Sequence, residues 1–224
     1  MIAQKIQRLA AALCAAALLS LILVAYLTGR VSGQFMTLAA VTLLLLSGLV
    51  SFEFSRPSAK TLTAVAVLSA VAVAGRALFA PLPNFKPVGA VVIVAGVAFG
   101  PGAGFATGAL SALCSNMLFG QGAWTPWQML GFGLVGSLAG VLARFGLLRG
   151  RLQLCLYGGA AGYLYGIVVD AFHLLGYVAP TQTAVAAALA GGLLFNTLHA
   201  AANIFFLAVF GRQWVRKLER IRNK

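Results

Sequence analysis

Apolar residues run along this chain in long blocks rather than in alternation. Leu9 to Leu27 is the first unbroken block, and it has the ~20 residues that a helix needs to cross a bilayer. After a short connector, Arg30 to Gln34, a second block runs from Phe35 to Phe54 with Glu53 near its end. Arg56-Pro57 through Lys60 is a polar break, and the proline stops the helix. The third block is Leu62 to Phe79. Two short apolar segments follow, Val88 to Phe99 and Phe105 to Phe119, around Gly100-Pro101-Gly102. Trp127 to Phe145, Leu152 to Leu175 and Thr183 to Phe210 complete the series, and a basic amphipathic segment ends at Lys224. The pattern predicts an all-α membrane protein with about eight transmembrane helices.

Two irregular loops interrupt the pattern. One is Pro81-Leu82-Pro83-Asn84-Phe85-Lys86-Pro87; the other runs from Gly120 to Thr125. Broken helices and polar loops at a membrane face line cavities or bury themselves in protein, because lipid cannot satisfy irregular backbone. The stretch from Arg76 to Met129, which holds both loops, is the candidate ligand site.

Composition agrees with the pattern. Hydrophobic residues make up 61% of the 224 and charged residues 8%, and the mean hydropathy is +0.97. Such values exclude a soluble globular domain. The three acidic residues are Glu53, Asp170 and Glu219. A net charge of +13 would suggest nucleic acid in a soluble protein, but here the basic residues flank apolar spans. With the N-terminus in the cytoplasm, Lys5, Arg8, Arg56, Lys60, Arg144, Arg149, Arg151, Arg212, Arg216, Lys217, Arg220, Arg222 and Lys224 fall inside. Arg30, Arg76 and Lys86 fall outside, so an arrangement with both termini cytoplasmic obeys the positive-inside rule. Both irregular loops then share the outer face. Lys5 and Arg8 also resemble a signal-peptide entry, but no clear cleavage site follows, and the first span reads as retained. Cys14, Cys114 and Cys155 lie inside apolar runs with no CxxC spacing and read as buried thiols.

Individual residues carry candidate chemistry. Trp124, Trp127 and Phe85 can stack on a flat heterocycle, or the tryptophans can form an interfacial belt. Gln121, Gln128, Asn84 and Asn116 offer paired donors and acceptors. Lys86 and Arg76 meet an anionic ligand group or snorkel to headgroups. Asp170 and His173 lie one turn apart in the seventh span, and a carboxylate inside a span is a functional candidate by default. Its possible partners are His173, Arg76 and the ligand. His199 lies three residues from Asn196 and four from Asn203; ligand contact and interhelical glue are its two readings. Ala66, Ala70 and Ala74 form a small-residue stripe, either for packing inside the chain or for docking another subunit.

Several function classes lose support on motifs alone. No HExxH set or nucleophile–base pair supports an enzyme, no metal set is evident, and no GxxxxGK[ST] supports ATP hydrolysis by this chain. A stand-alone proton-coupled transporter would use Asp170, His173 and His199 as its relay, but no internal repeat of the usual transporter kind is evident.

The stretch Leu62 to Phe145 resembles the membrane-embedded substrate-binding subunit, or S-component, of energy-coupling factor (ECF) vitamin transporters. The resemblance rests on the Ala66-Ala70-Ala74 stripe, Gly75-Arg76, Pro83-Asn84-Phe85-Lys86-Pro87, Phe99-Gly100-Pro101 with Gly104-Phe105, and Phe119-Gly120-Gln121-Gly122 leading into Trp124-Thr125-Pro126-Trp127-Gln128-Met129. It implies a six-helix substrate-binding core over 57–212, two added N-terminal helices over 1–56 and a basic cytoplasmic tail over 213–224. It further implies capture of a vitamin or related micronutrient at the outer face of a prokaryotic plasma membrane. Release inward would need a coupling membrane subunit and two ATPases, which spend the ATP, and this chain would hold no cofactor. Ala66, Ala70 and Ala74 would be the docking surface. The Trp124–Met129 stretch and the aromatic first loop resemble those of cobalamin-type S-components, which makes a corrinoid the first expected ligand, with riboflavin, another vitamin or a queuosine-like precursor beside it.

Overall fold

The computed structural model describes residues 17–18, 20–176 and 181–223, and among them every regular element is helical. Most of the first expected span, together with Cys14, lies outside the described residues; residues 20–27 are helical. The following helices are α1 (Gly33–Phe54), α2 (Ala59–Leu78), α3 (Val88–Phe99), α4 (Pro101–Phe119), α5 (Thr125–Arg144), α6 (Arg151–Gly176), α7 (Gln182–Phe206) and α8 (Arg212–Asn223). A π-helical turn, Leu207–Gly211, joins α7 to α8, so these form one helical path of 42 residues. The basic segment set apart as a tail by its composition therefore continues the last membrane helix. Six described helices are long and apolar enough to cross a membrane, α3 being the short exception.

Local signals explain the boundaries. Ser32, Ser58 and Thr181 stand before α1, α2 and α7, and each side chain accepts from a backbone N–H three residues on. This satisfies a donor that the first helical turn leaves open. Pro101 and Pro126 open α4 and α5, where a missing N–H costs nothing. Between α3 and α4 the chain reverses at one residue, Gly100, whose φ of +95° an L side chain rarely adopts.

At 12 residues, α3 is about 18 Å long and cannot cross a bilayer alone. Val88 through Ala98 are all buried, so it is apolar on every side and sits at the bundle's centre. Around it the helices meet through glycine. A Cβ on Gly96 would stand 2.0 Å from the Gly136 carbonyl oxygen, and one on Gly104 would stand 2.3 Å from the same atom. At Gly140 the nearest atom would be the Pro101 nitrogen, at 2.4 Å. A second seam joins α6 to α7, where Gly158, Gly162 and Gly166 face Leu207, Ala200 and Asn196. Such close approach is how helices associate in lipid, where no hydrophobic force drives them together.

The small-residue stripe on α2 is used differently. Ala66, Ala70 and Ala74 are exposed, while the buried face of that helix is Val65, Leu68, Ser69 and Ala72. Packing inside the chain, one of the two readings of the stripe, is not its use among the described residues.

A valine at Gly136 must push aside the α4 backbone at Gly104 and the Val92 side chain of α3. We expect Gly136→Val to cost about 2 kcal/mol or more and to lower the thermal transition in detergent by on the order of 5 °C. Gly191, helical with nothing within 4 Å of its Cβ direction, should accept alanine without loss. An unchanged transition for Gly136→Val would show that the glycine contact does not hold the bundle.

Candidate functional site

One polar network ties together the ends of α2, α4 and α5 on the face that carries the two irregular loops. Arg76 lies in the last turn of α2, where a cation complements the helix dipole. Its Nη1 donates to Ser115 Oγ at 2.6 Å and to Asn116 Oδ1 at 2.8 Å, and its guanidinium lies 5.1 Å from the Phe119 ring centroid. Asn116, 1% exposed, donates in turn to Thr125 Oγ1 at 3.0 Å and to Gln128 Oε1 at 2.8 Å. The Thr125 hydroxyl donates to Gln121 Oε1, and Gln121 Nε2 reaches the Leu113 carbonyl. Four residues singled out in the sequence, Arg76, Asn116, Gln121 and Gln128, thus meet in one chain of hydrogen bonds.

The loop between α2 and α3 is locked from within. Asn84 has φ +55°, a left-handed conformation in which asparagine is among the tolerated residues, so its place in the loop follows from turn geometry. Lys86 Nζ donates to the carbonyls of Phe79, Ala80 and Leu82. It caps the turn that follows α2 and commits its three donors there. Burial first, then the charge of Arg76, holds its ammonium below the ordinary lysine range. Phe85 turns inward, its ring 5.6 Å from Phe205 and 5.5 Å from Phe206. The loop is thereby pinned onto the end of α7.

Beneath the network lies an aromatic ladder. Phe132 stacks on Tyr165 with centroids 4.0 Å apart, Tyr165 lies 5.1 Å from His199, and His199 lies 4.3 Å from Phe195. Arg76 is close enough for its charge to act on Tyr165 and His199, and Lys86 for its charge to act on His199. The ladder thus lies within electrostatic reach of both cations. His199 Nδ1 donates to the Phe195 carbonyl at 3.0 Å, since a carbonyl only accepts. That leaves Nε2 as its second polar atom.

Asp170 faces α7: Asn196 Nδ2 donates to its Oδ2 at 3.3 Å. Arg76, one of its possible partners, instead directs its Nη1 to Ser115 and Asn116. The other atom of the same amide, Asn196 Oδ1, is buried without a partner among the described residues. His173 is exposed, with its ring edge-on to Phe172. Asn203 donates to the Gly158 carbonyl and glues α7 to α6.

The two tryptophans part company. Trp127 is buried among Val41, Leu45, Leu130 and Phe172, and borders a cavity of about 310 Å³ with Ser32, Gln34 and Thr37. Trp124 is exposed, with its ring folded over Gly122. Sequence reasoning passed over Ser115, Thr125, Phe132, Tyr165 and Phe195. Tyr165 left a signal: a hydroxyl-bearing ring in mid-span is costly unless something uses it. Among the described residues no group of His, Cys, Asp or Glu could hold a metal ion.

Truncating Asn116 would strand the Arg76, Thr125 and Gln128 groups together. Asn116→Ala should cost roughly 2 kcal/mol, because buried polar groups lose their partners, and should raise hydrogen exchange at the end of α2. Wild-type thermal stability and exchange for this variant would rule out the network as a structural unit.

Comparison with known proteins places the chain. The family model for the "ECF-type riboflavin transporter, S component" matches residues 56–211. A UPF0397 protein of Aliivibrio salmonicida (strain LFI1238) is 28% identical over 126 residues, covering 54% of this chain and 67% of the relative. No solved structure matches. The matched residues run from the break before α2 to the end of the π turn and take in both loops, the polar network and the aromatic ladder. The chain therefore belongs to the S-component family of ECF-type transporters, as a multi-pass membrane subunit that binds substrate rather than a member of an enzyme family.

Proposed function

We propose that this subunit captures a planar nitrogen heterocycle of the vitamin class at the face bearing the two loops, with riboflavin the first ligand to test. The carrying observation is the pairing of an amide and guanidinium network, Arg76–Asn116–Gln128, with the aromatic ladder Phe132–Tyr165–His199–Phe195. Flat rings stack on such ladders, and amide pairs read the donors and acceptors at a heterocycle's edge. The orphaned Asn196 Oδ1 offers one more acceptor. The matching family, that of riboflavin transporter S-components, supports riboflavin over the corrinoid expected from the loops, and the compact network suits a small ring better than a corrin.

In this reading the loop face is extracellular and both termini are cytoplasmic, with thirteen of the sixteen basic residues inside. The membrane is a prokaryotic plasma membrane. A coupling membrane subunit and two ATPases complete the importer; they spend ATP, and this chain carries no cofactor. The exposed Ala66-Ala70-Ala74 stripe docks the coupling subunit. A proton relay through Asp170, His173 and His199 has less support, because Asp170 and His199 bond to separate partners and the family is that of an ECF subunit.

Native mass spectrometry of the gently purified chain should reveal a retained ligand. Riboflavin added to empty protein should lose fluorescence on stacking, and Tyr165→Ala should weaken that binding by roughly tenfold, the share of an aromatic contact. A corrinoid mass, or unchanged affinity in Tyr165→Ala, would overturn this ligand assignment. Separately, Ala70→Trp should abolish uptake yet leave ligand binding intact. Loss of both would return the stripe to a structural role.

A further inference from the structure

The face opposite the irregular loops carries a cavity of about 650 Å³. Its walls come from stretches distant in sequence: Arg144 at the end of α5, Arg149 in the α5–α6 connection, and Arg212, Arg216, Glu219 and Arg222 on α8. The α8 residues fall at helical spacing and share one side of that helix. Five guanidiniums thus surround one carboxylate, a net of +4, over an apolar floor of Val97, Leu148, Leu154 and Val215.

Membrane topology explains why basic residues collect at this end, but not why these converge. Lys217 and Arg220 satisfy the same bias from α8 without lining the cavity. Among the described residues, Arg144, Arg149, Arg212 and Arg216 form no side-chain hydrogen bond or ion pair. Arg222 is the exception: its Nη1 donates to the Ala98 carbonyl at 2.5 Å and ties α8 to the last turn of α3. The arginine face is therefore held in place rather than free to spread. Gly100, the N-cap of α4, adds the positive end of a helix dipole to the same wall. Like charges gathered beside apolar side chains repel one another, and a multivalent anion relieves that repulsion.

We propose that this cavity binds a phosphate group, supplied by the headgroup of an acidic phospholipid or by a soluble phosphate compound, with Arg144, Arg149, Arg212 and Arg216 as its ligands. The guanidinium fork matches phosphate oxygens in pairs. The apolar floor and the place at the ends of membrane helices suit a lipid headgroup.

The test uses the full chain in detergent, titrated with phosphatidylglycerol, phosphatidylcholine or inorganic pyrophosphate and read by native mass spectrometry. Phosphatidylglycerol should be retained and phosphatidylcholine not. The double variant R212Q/R216Q should weaken retention roughly thirtyfold. The variant K217Q/R220Q removes the same charge from the same helix outside the cavity and should leave retention unchanged. Retention of pyrophosphate alone, lost in R212Q/R216Q, would assign the phosphate to a soluble source. Equal weakening in both double variants, or equal retention of the two lipids with no pyrophosphate adduct, would overturn the proposal. Arg149→Gln, on an exposed connection, supplies the same readout should R212Q/R216Q fail to fold.

Discussion

The backbone contact at Gly136 is the constraint on which the rest of the structure depends. Lipid is as apolar as leucine, so hydrophobic burial cannot press membrane helices together, and short-range packing must do so. Gly96 and Gly104 approach the same carbonyl of α5 more closely than any Cβ would allow. This lets α3, too short to span, lie buried at the centre with α4 and α5 against it. Because α4 and α5 are clamped there, their far ends, which carry Asn116 and Gln128, sit within hydrogen-bonding distance.

Once those ends meet, polar chemistry takes over. A buried asparagine in a membrane bundle has no water to turn to, so Asn116 must find partners in the protein. It finds them on two other helices, α2 and α5, and one of its partners, Arg76, also reaches Ser115 and the Phe119 ring. The network therefore fixes the orientation of α2 relative to α4 and α5. It also holds a cation above an aromatic ladder whose rungs come from α5, α6 and α7. The loop after α2 is fastened separately, by Lys86 on its own carbonyls and by Phe85 on α7.

The two faces are thus organised by opposite means. On the loop face, charge is consumed internally: Arg76 and Lys86 spend their donors on side chains and carbonyls. On the basic face, four arginines keep theirs, and the π turn at Leu207–Gly211 helps aim the α8 side that bears two of them. A π turn shifts the facing of the helix that follows it, which is why such turns occur where a helix must present a particular side.

The sequence by itself determined the class of protein, the order of the apolar helices after the first, and the two irregular loops. Length and apolarity are properties of single segments, and a bilayer reads them one segment at a time. It also pointed to Arg76, Asn116, Gln121 and Gln128, because polar residues near apolar spans are few and costly. Only the tertiary structure decided which of them meet. It joined those four, paired Asp170 with Asn196, buried Trp127 in a separate cluster and left Trp124 exposed. It also drew in Phe132, whose type is ordinary in a membrane helix, and Tyr165, whose mid-span hydroxyl signals a use without naming the partner. Contacts between helices depend on rotation and crossing angle, and these are set by where glycines let backbones touch, a relation among helices that no single segment contains.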